Sequence, residues 1–172
     1  MPGSKDRVRL NKLQREAEGY LELGLPQLAL DSLTRLHGSS ATCSSTLYLK
    51  GEALRALGRW EEALSVLQEV AVLEPENIHV WLALGWCQKR MGRLDLAVRS
   101  LRRALEADPA EAILHYNLAC YLSLAGKKRE ALERLSRALT LDPHYRDLID
   151  GESDFDPLRD DPDFQALLTA MV

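Results

Sequence analysis

Cysteines and histidines are the side chains of this sequence best suited to nucleophilic, redox or metal chemistry. Cys43, Cys87 and Cys120 are far apart in sequence, so no CxxC pair exists for a redox or metal site. We therefore expect three reduced thiols that pack in helices as small apolar residues. The four histidines occur singly, without HExxH or HxH, and none lies three or four residues from a cysteine. These patterns predict no metal site.

Carboxylates are concentrated at the C-terminal end. The segment Arg146–Val172 has eight acids and two arginines, in a chain of net charge −4. Asp154 and Asp156 match the first two positions of a calcium-binding EF-hand loop, but the next two are Leu158 and Arg159. The pattern therefore predicts a solvated acidic face and not a calcium site.

Motifs for catalysis, nucleic acids and membranes are also missing from the sequence. No G-x-S-x-G occurs, and Gly85–Gly92 lacks the strand and the Lys-Ser/Thr of a phosphate loop. We predict no enzyme activity and no cofactor. Without a strongly basic face, an apolar run of about 18 residues, or an apolar run behind the basic start, we expect no nucleic-acid or membrane binding and a cytoplasmic location.

A repeat of 34 residues dominates the rest of the chain. Glycine and alanine recur in register at Gly24, Gly58, Gly92 and Gly126, and at Ala29, Ala63, Ala97 and Ala131. Within Ile78–Glu111, apolar residues recur every three or four positions on both sides of Gly92, and Pro109 ends the second run. Each unit is therefore predicted to be a helix hairpin with small residues, such as Gly85 and Ala97, where the helices cross.

The period also predicts how the chain is divided. We expect a basic lead at 1–9, a degenerate first repeat at 10–43, repeats at 44–77, 78–111 and 112–145, and an acidic tail at 146–172. In the tail, Phe164, Leu167, Leu168 and Met171 form one apolar stripe. This stripe predicts a capping helix, because a repeat array needs its last apolar face covered.

The repeat resembles the tetratricopeptide repeat. The residues that carry the resemblance are Trp81, Leu84, Gly85, Ala97, Leu101 and Pro109. It implies an all-α, right-handed superhelical solenoid in which the first helix of each pair lines a concave groove. It also implies protein partners, without indicating which.

In that register, the second, fifth, ninth and twelfth positions of each first helix face the groove. The predicted peptide-binding residues are Tyr48, Glu52, Arg55, His79, Leu82, Trp86, Lys89, Ile113, Tyr116 and Cys120. Buried aromatic side chains are frequent anchors of binding surfaces. The alternative, that Trp86 and Tyr116 pack on neighbouring helices, stays open.

The sequence therefore predicts a non-catalytic adaptor that binds a peptide segment of another protein. One alternative is a dedicated chaperone that shields an apolar segment of a client, because secretion-system chaperones are similarly short helical-repeat proteins. A second alternative is a structural scaffold that associates weakly with itself.

Overall fold

The computed structural model describes residues 4–170, and the chain divides between Met91 and Gly92 into two compact units. Unit 1 contains α1 (Ser4–Glu22), α2 (Pro26–Thr34), a 3-10 turn (Gly38–Ser40), α3 (Ser44–Ala56), α4 (Trp60–Leu73) and α5 (Ile78–Arg90). Unit 2 contains α6 (Leu94–Ala107), α7 (Ala112–Leu124), α8 (Lys128–Leu141), α9 (Tyr145–Ile149), the 3-10 segment (Ser153–Leu158) and α10 (Pro162–Ala170). Over these described residues every regular element is helical, so the all-α prediction is confirmed.

Consecutive helices pack against each other within each unit. In unit 1, α1 packs on α2, α3 on α4, and α5 on α4. In unit 2, α7 packs on both α6 and α8. The antiparallel hairpin predicted from the short turns is thus the local building block of both units.

Glycine closes the turn between the two helices of a pair. Gly58 has φ of 73°, a backbone conformation that residues with a Cβ atom rarely adopt. Its N–H donates to Arg55 O, and the next N–H, of Arg59, donates to Leu54 O at 2.9 Å. These two bonds satisfy the last carbonyls of α3 in a Schellman motif. Gly126 closes the turn after α7 in the same way, which explains why glycine recurs every 34 residues.

Small residues let paired helices approach closely. A Cβ atom added to Gly51 of α3 would lie 2.6 Å from Leu67 Cδ2 of α4, well inside van der Waals contact. Ala63 of α4 is fully buried in the same core. In unit 2, Ala119 and Ala131 occupy the corresponding positions and are buried. The prediction that small residues lie where paired helices cross therefore holds in the α3–α4 hairpin.

One repeat position ties α5 and α7 to the proline that precedes each of them. In unit 1, Trp81 Nε1–H donates to Pro75 O at 2.9 Å. In unit 2, His115 Nε2 lies 3.0 Å from Pro109 O, and the ring is buried. A carbonyl oxygen can only accept, so Nε2 carries the proton in this bond. His115 thus replaces the tryptophan of the repeat as a packed structural residue.

The structure of the two ends of the chain refines the predicted N-terminal lead and C-terminal capping helix. Helix α1 begins at Ser4, so most of the predicted lead 1–9 is helical, and residues 1–3 lie outside the described residues. In α10, Phe164 and Leu168 are buried, whereas Met171 lies outside the described residues. Across the part of the chain that the structure describes, no helix is both long enough and apolar enough to span a bilayer.

Candidate peptide-binding surface

The predicted groove residues lie in three different environments. Two are exposed, namely His79 and Ile113. Six are half-buried, namely Tyr48, Glu52, Arg55, Leu82, Trp86 and Lys89, and all six belong to α3 and α5 of unit 1. Two are buried in unit 2, where Tyr116 is 5% exposed and Cys120 1% exposed. The face of α3 and α5 is therefore accessible in unit 1, and the corresponding face of α7 is covered.

An ion pair on α3 positions a guanidinium over a tryptophan of α5. Arg55 donates through Nε and Nη2 to the two carboxylate oxygens of Glu52, at 3.0 and 2.8 Å. This hydrogen-bonded pairing holds the pKa of Arg55 above its ordinary value. The Arg55 Cζ atom lies 4.9 Å from the ring centroid of Trp86. The fork geometry of the pair therefore orients a cation–π contact between two helices.

Trp86 also belongs to a larger cluster. The rings of Trp60 and Trp86 have centroids 5.0 Å apart and are inclined at 58°. Arg90 Cζ lies 5.5 Å from the centroid of Trp60 and 5.7 Å from that of Trp86. We call Arg55, Trp60, Trp86 and Arg90 the arginine–tryptophan cluster. It presents two indole rings and two guanidinium groups on one side of unit 1.

Trp60 is a member of this cluster that the groove register did not include. It is the first residue of α4, next to the turn at Gly58, and not part of a first helix. The sequence did contain a signal, because the same repeat position is Leu94 in the next repeat and Lys128 in the one after. The repeat therefore does not require an aromatic residue at this position, which marks Trp60 as a residue with another role.

Burial raises the pKa of two neighbouring groups in unit 1. Burial, and secondarily the charge of Glu52, raises the pKa of Tyr48 to about 12. Burial raises the pKa of the Cys87 thiol to about 11. Both groups are therefore protonated near neutral pH, and Cys87 lacks the thiolate that a nucleophile requires. Neither group is therefore an activated nucleophile on this surface.

The tail covers the corresponding face of unit 2. The ring of Tyr116 lies 4.7 Å from that of Tyr145 and 5.8 Å, edge-on, from that of Phe155, measured between centroids. Phe155 is 0% exposed and also lies 5.7 Å from Phe164 of α10. The 3-10 segment packs on α7, and α10 packs on α8. The expectation of an open groove at Tyr116 and Cys120 therefore needs correction, because an aromatic stack from the tail fills that space.

Polar contacts hold the tail in this position. Arg159 Nη2 donates to the carbonyl oxygens of Ile149 and Glu152, at 3.2 and 2.9 Å. Lys128 Nζ of α8 lies 2.6 Å from a carboxylate oxygen of Asp161 and 2.7 Å from one of Asp163. The acidic tail is therefore a docked part of unit 2.

Known families and proteins have sequences similar to this chain. Two family models described as tetratricopeptide repeat match residues 15–78 and 54–119. An uncharacterised protein of Sinorhizobium fredii (strain NBRC 101917 / NGR234), y4yS, is 38% identical over 79 residues, which cover 46% of this chain and 43% of that protein. A BBSome complex member BBS4 homolog of Drosophila melanogaster is 27% identical over 123 residues, which cover 71% of this chain and 25% of that protein. The chain thus spans less than half the length of these curated relatives.

One solved structure extends the likeness over nearly the whole chain. The structure of MamA 41-end from Desulfovibrio magneticus RS-1 matches with a TM-score of 0.72 and 24% identity, covering 97% of this chain and 95% of that one. At this identity the likeness shows the fold alone.

Proposed function

Because the chain belongs to the tetratricopeptide repeat family, we propose that it is a non-catalytic adaptor that binds a segment of another protein on the α3–α5 face of unit 1. Stacked helical repeats commonly present extended surfaces of this kind to partners. The partner segment lies along α3 and α5 and buries an aromatic or aliphatic side chain next to Trp86.

The arginine–tryptophan cluster is the observation that carries this proposal. Tryptophan and arginine are the residues most enriched among those that dominate binding energy. Here Trp86 stays half-buried, although Arg55 and Arg90 both lie within 6 Å of its ring centroid. A partner that covers this ring removes apolar surface from water and strengthens the cation–π contacts by desolvating them.

Charge favours an acidic segment as the partner. Arg55, Lys89 and Arg90 contribute three cations to this face, and Glu52 contributes one paired carboxylate. Carboxylates on a partner therefore gain attraction here, whereas basic residues are repelled.

The tail of the same chain supports this chemistry by analogy. On α7, the residue at the repeat position of Tyr48 and Leu82 is Tyr116, and it packs against Phe155 of the tail. Phe155 is flanked in sequence by Asp154 and Asp156. An aromatic residue between two acids thus fits this repeat position in unit 2. The Drosophila relative is named as a homolog of a BBSome complex member, which is in keeping with an interaction role.

A peptide titration tests the proposal with the complete chain. The probe is a fluorescein-labelled peptide with the sequence of residues 150–160, which contains Phe155 between its two acids. We expect saturable binding by fluorescence anisotropy. Because the tail of the intact chain already fills the α7 face, this binding reports on the α3–α5 face of unit 1. Trp86→Ala is expected to weaken binding at least about 30-fold, equivalent to about 2 kcal/mol.

Two controls make the experiment decisive. Arg90→Glu reverses a charge in the cluster and is expected to weaken binding, most strongly at low salt. Arg99→Glu makes the same charge change on an exposed position of α6 and is expected to leave affinity unchanged. Equal affinity of wild type and folded Trp86→Ala, or no binding by wild type, contradicts the proposal.

A further inference from the structure

The tail and α7 bring a thiol and two carboxylates together under the aromatic stack. Cys120 lies on α7, and Glu152 and Asp154 lie at the start of the 3-10 segment. One ligand atom from each of the three lies within 4.8 Å of the other two. Cys120 is 1% exposed and Asp154 is 6% exposed, so two of the three groups are almost withdrawn from water. Cys120 is more than 30 positions before the two carboxylates in sequence, and only the docked tail brings them together.

A fourth polar group supports a ligand at this place independently. The Tyr116 hydroxyl is buried one helical turn before Cys120 and has no hydrogen-bond partner among the described residues. Burial raises the pKa of Tyr116, as do the charges of Cys120, Glu152, Asp154 and Tyr145, so the three groups lie near its hydroxyl. A buried hydroxyl without a partner is costly, so such a group points to a ligand or an ordered water.

We propose that Cys120, Glu152 and Asp154 bind one zinc-class divalent cation, with a water in the fourth position hydrogen-bonded to the Tyr116 hydroxyl. A thiolate with two carboxylates suits a borderline cation such as Zn²⁺, and the sulfur disfavours Mg²⁺ and Ca²⁺. Tetrahedral Zn²⁺ with bonds of about 2.0–2.3 Å separates its ligand atoms by roughly 3.3–3.8 Å. Side-chain shifts of about 1 Å are therefore sufficient to bring the three ligand atoms to these separations.

The neighbouring contacts suit this role. Glu152 accepts a hydrogen bond from the N–H of Asp154 at 3.1 Å, which orients its carboxylate. Binding releases the thiol proton of Cys120 to solvent and offsets the negative charges of the two carboxylates, of which Asp154 is buried and Glu152 half-buried. Because the ligands come from both α7 and the tail, the cation fastens the tail onto unit 2. The bound metal thereby stabilises the covering of the face at Tyr116.

Cobalt titration of the complete, metal-stripped chain tests this site. We expect Co²⁺ to bind at one equivalent and to give both the ligand-field bands of a tetrahedral ion and a thiolate charge-transfer band. Zn²⁺ should displace it, whereas Mg²⁺ should not. Cys120→Ser is expected to abolish the charge-transfer band, and Asp154→Asn to weaken Co²⁺ binding at least 10-fold.

The other two cysteines provide matched controls. Cys87→Ser and Cys43→Ser each remove one thiol elsewhere and should leave the Co²⁺ spectrum unchanged. As a second measurement, Zn²⁺ should slow proteolysis of the tail in wild type but not in Asp154→Asn, provided that circular dichroism shows both proteins folded. The site is overturned if wild type binds no stoichiometric Co²⁺, or if the charge-transfer band persists in Cys120→Ser.

Discussion

The α3–α5 face of unit 1 and the α7 face of unit 2 are formed by the same positions of the repeat, but the first is accessible to solvent and the second is covered by the tail. In unit 1 these positions hold half-buried residues of mixed charge and aromatic character, centred on Trp86. In unit 2 they hold Tyr116 and Cys120, which Phe155 and its neighbours cover. The comparison teaches that the repeat decides where a side chain points, whereas a segment outside the repeat decides whether it meets solvent.

Removal of the covering ring tests this difference most strongly. Phe155→Ala deletes a fully buried ring between Tyr116 and Phe164, and we expect it to lower the free energy of unfolding of unit 2 by about 3–5 kcal/mol. Chemical denaturation with tyrosine fluorescence measures the loss. Leu148→Ala, at a position that is 54% exposed, is the control and should change stability by less than about 0.5 kcal/mol. A wild-type unfolding curve for Phe155→Ala would mean that the tail does not cover α7.

The same positions should respond differently to truncation in the two units. Trp86→Ala is expected to reduce the free energy of peptide binding by more than about 2 kcal/mol. Tyr116→Ala should leave that binding unchanged and instead destabilise unit 2, because its ring is buried by the tail. Paired anisotropy titrations and thermal melts of the two variants separate these effects. If both variants lose binding equally, the two faces form one site and the comparison fails.

Arg159 tests the polar attachment of the tail. Arg159→Ala removes the donors to Ile149 O and Glu152 O, and we expect a loss of about 1–2 kcal/mol of stability. Cleavage near the 3-10 segment in limited proteolysis should accelerate at the same time. Arg99→Ala, on the exposed side of α6, is expected to change neither rate nor stability.

The smallest effect concerns the ion pair between α8 and the tail. The hydrogen bond from Lys128 holds the pKa of Asp161 below its ordinary value of 3.8. A carboxyl group whose pKa is lower in the folded state contributes stability above the unfolded pKa and loses it as the pH falls through the folded pKa. The melting temperatures of wild type and Lys128→Ala should therefore differ slightly near pH 6 and converge below about pH 3.8. A difference that stays constant down to about pH 2 would exclude this pair as its source.

Much of the architecture follows from the sequence alone. The 34-residue period predicted the helix hairpins and the turn glycines Gly58 and Gly126, and the apolar stripe of the tail predicted the final helix. It also predicted that Trp86 would lie on the same face as Arg55. These features repeat because every unit must solve the same local problem of turning and packing two helices, so they leave a periodic signal.

The covering of α7 and the composition of both sites were decided by tertiary structure. Phe155 packs on Tyr116, Trp60 packs on Trp86, and Glu152 lies near Cys120, and among the described residues each of these pairings occurs once. A contact that occurs once has no period, and the tail that makes two of these three contacts lies outside the repeat. The sequence by itself determined which residues each helix presents on each face. Only folding determined which of those faces the tail covers, because burial of Phe155 against α7 depends on the path of the chain after the last repeat.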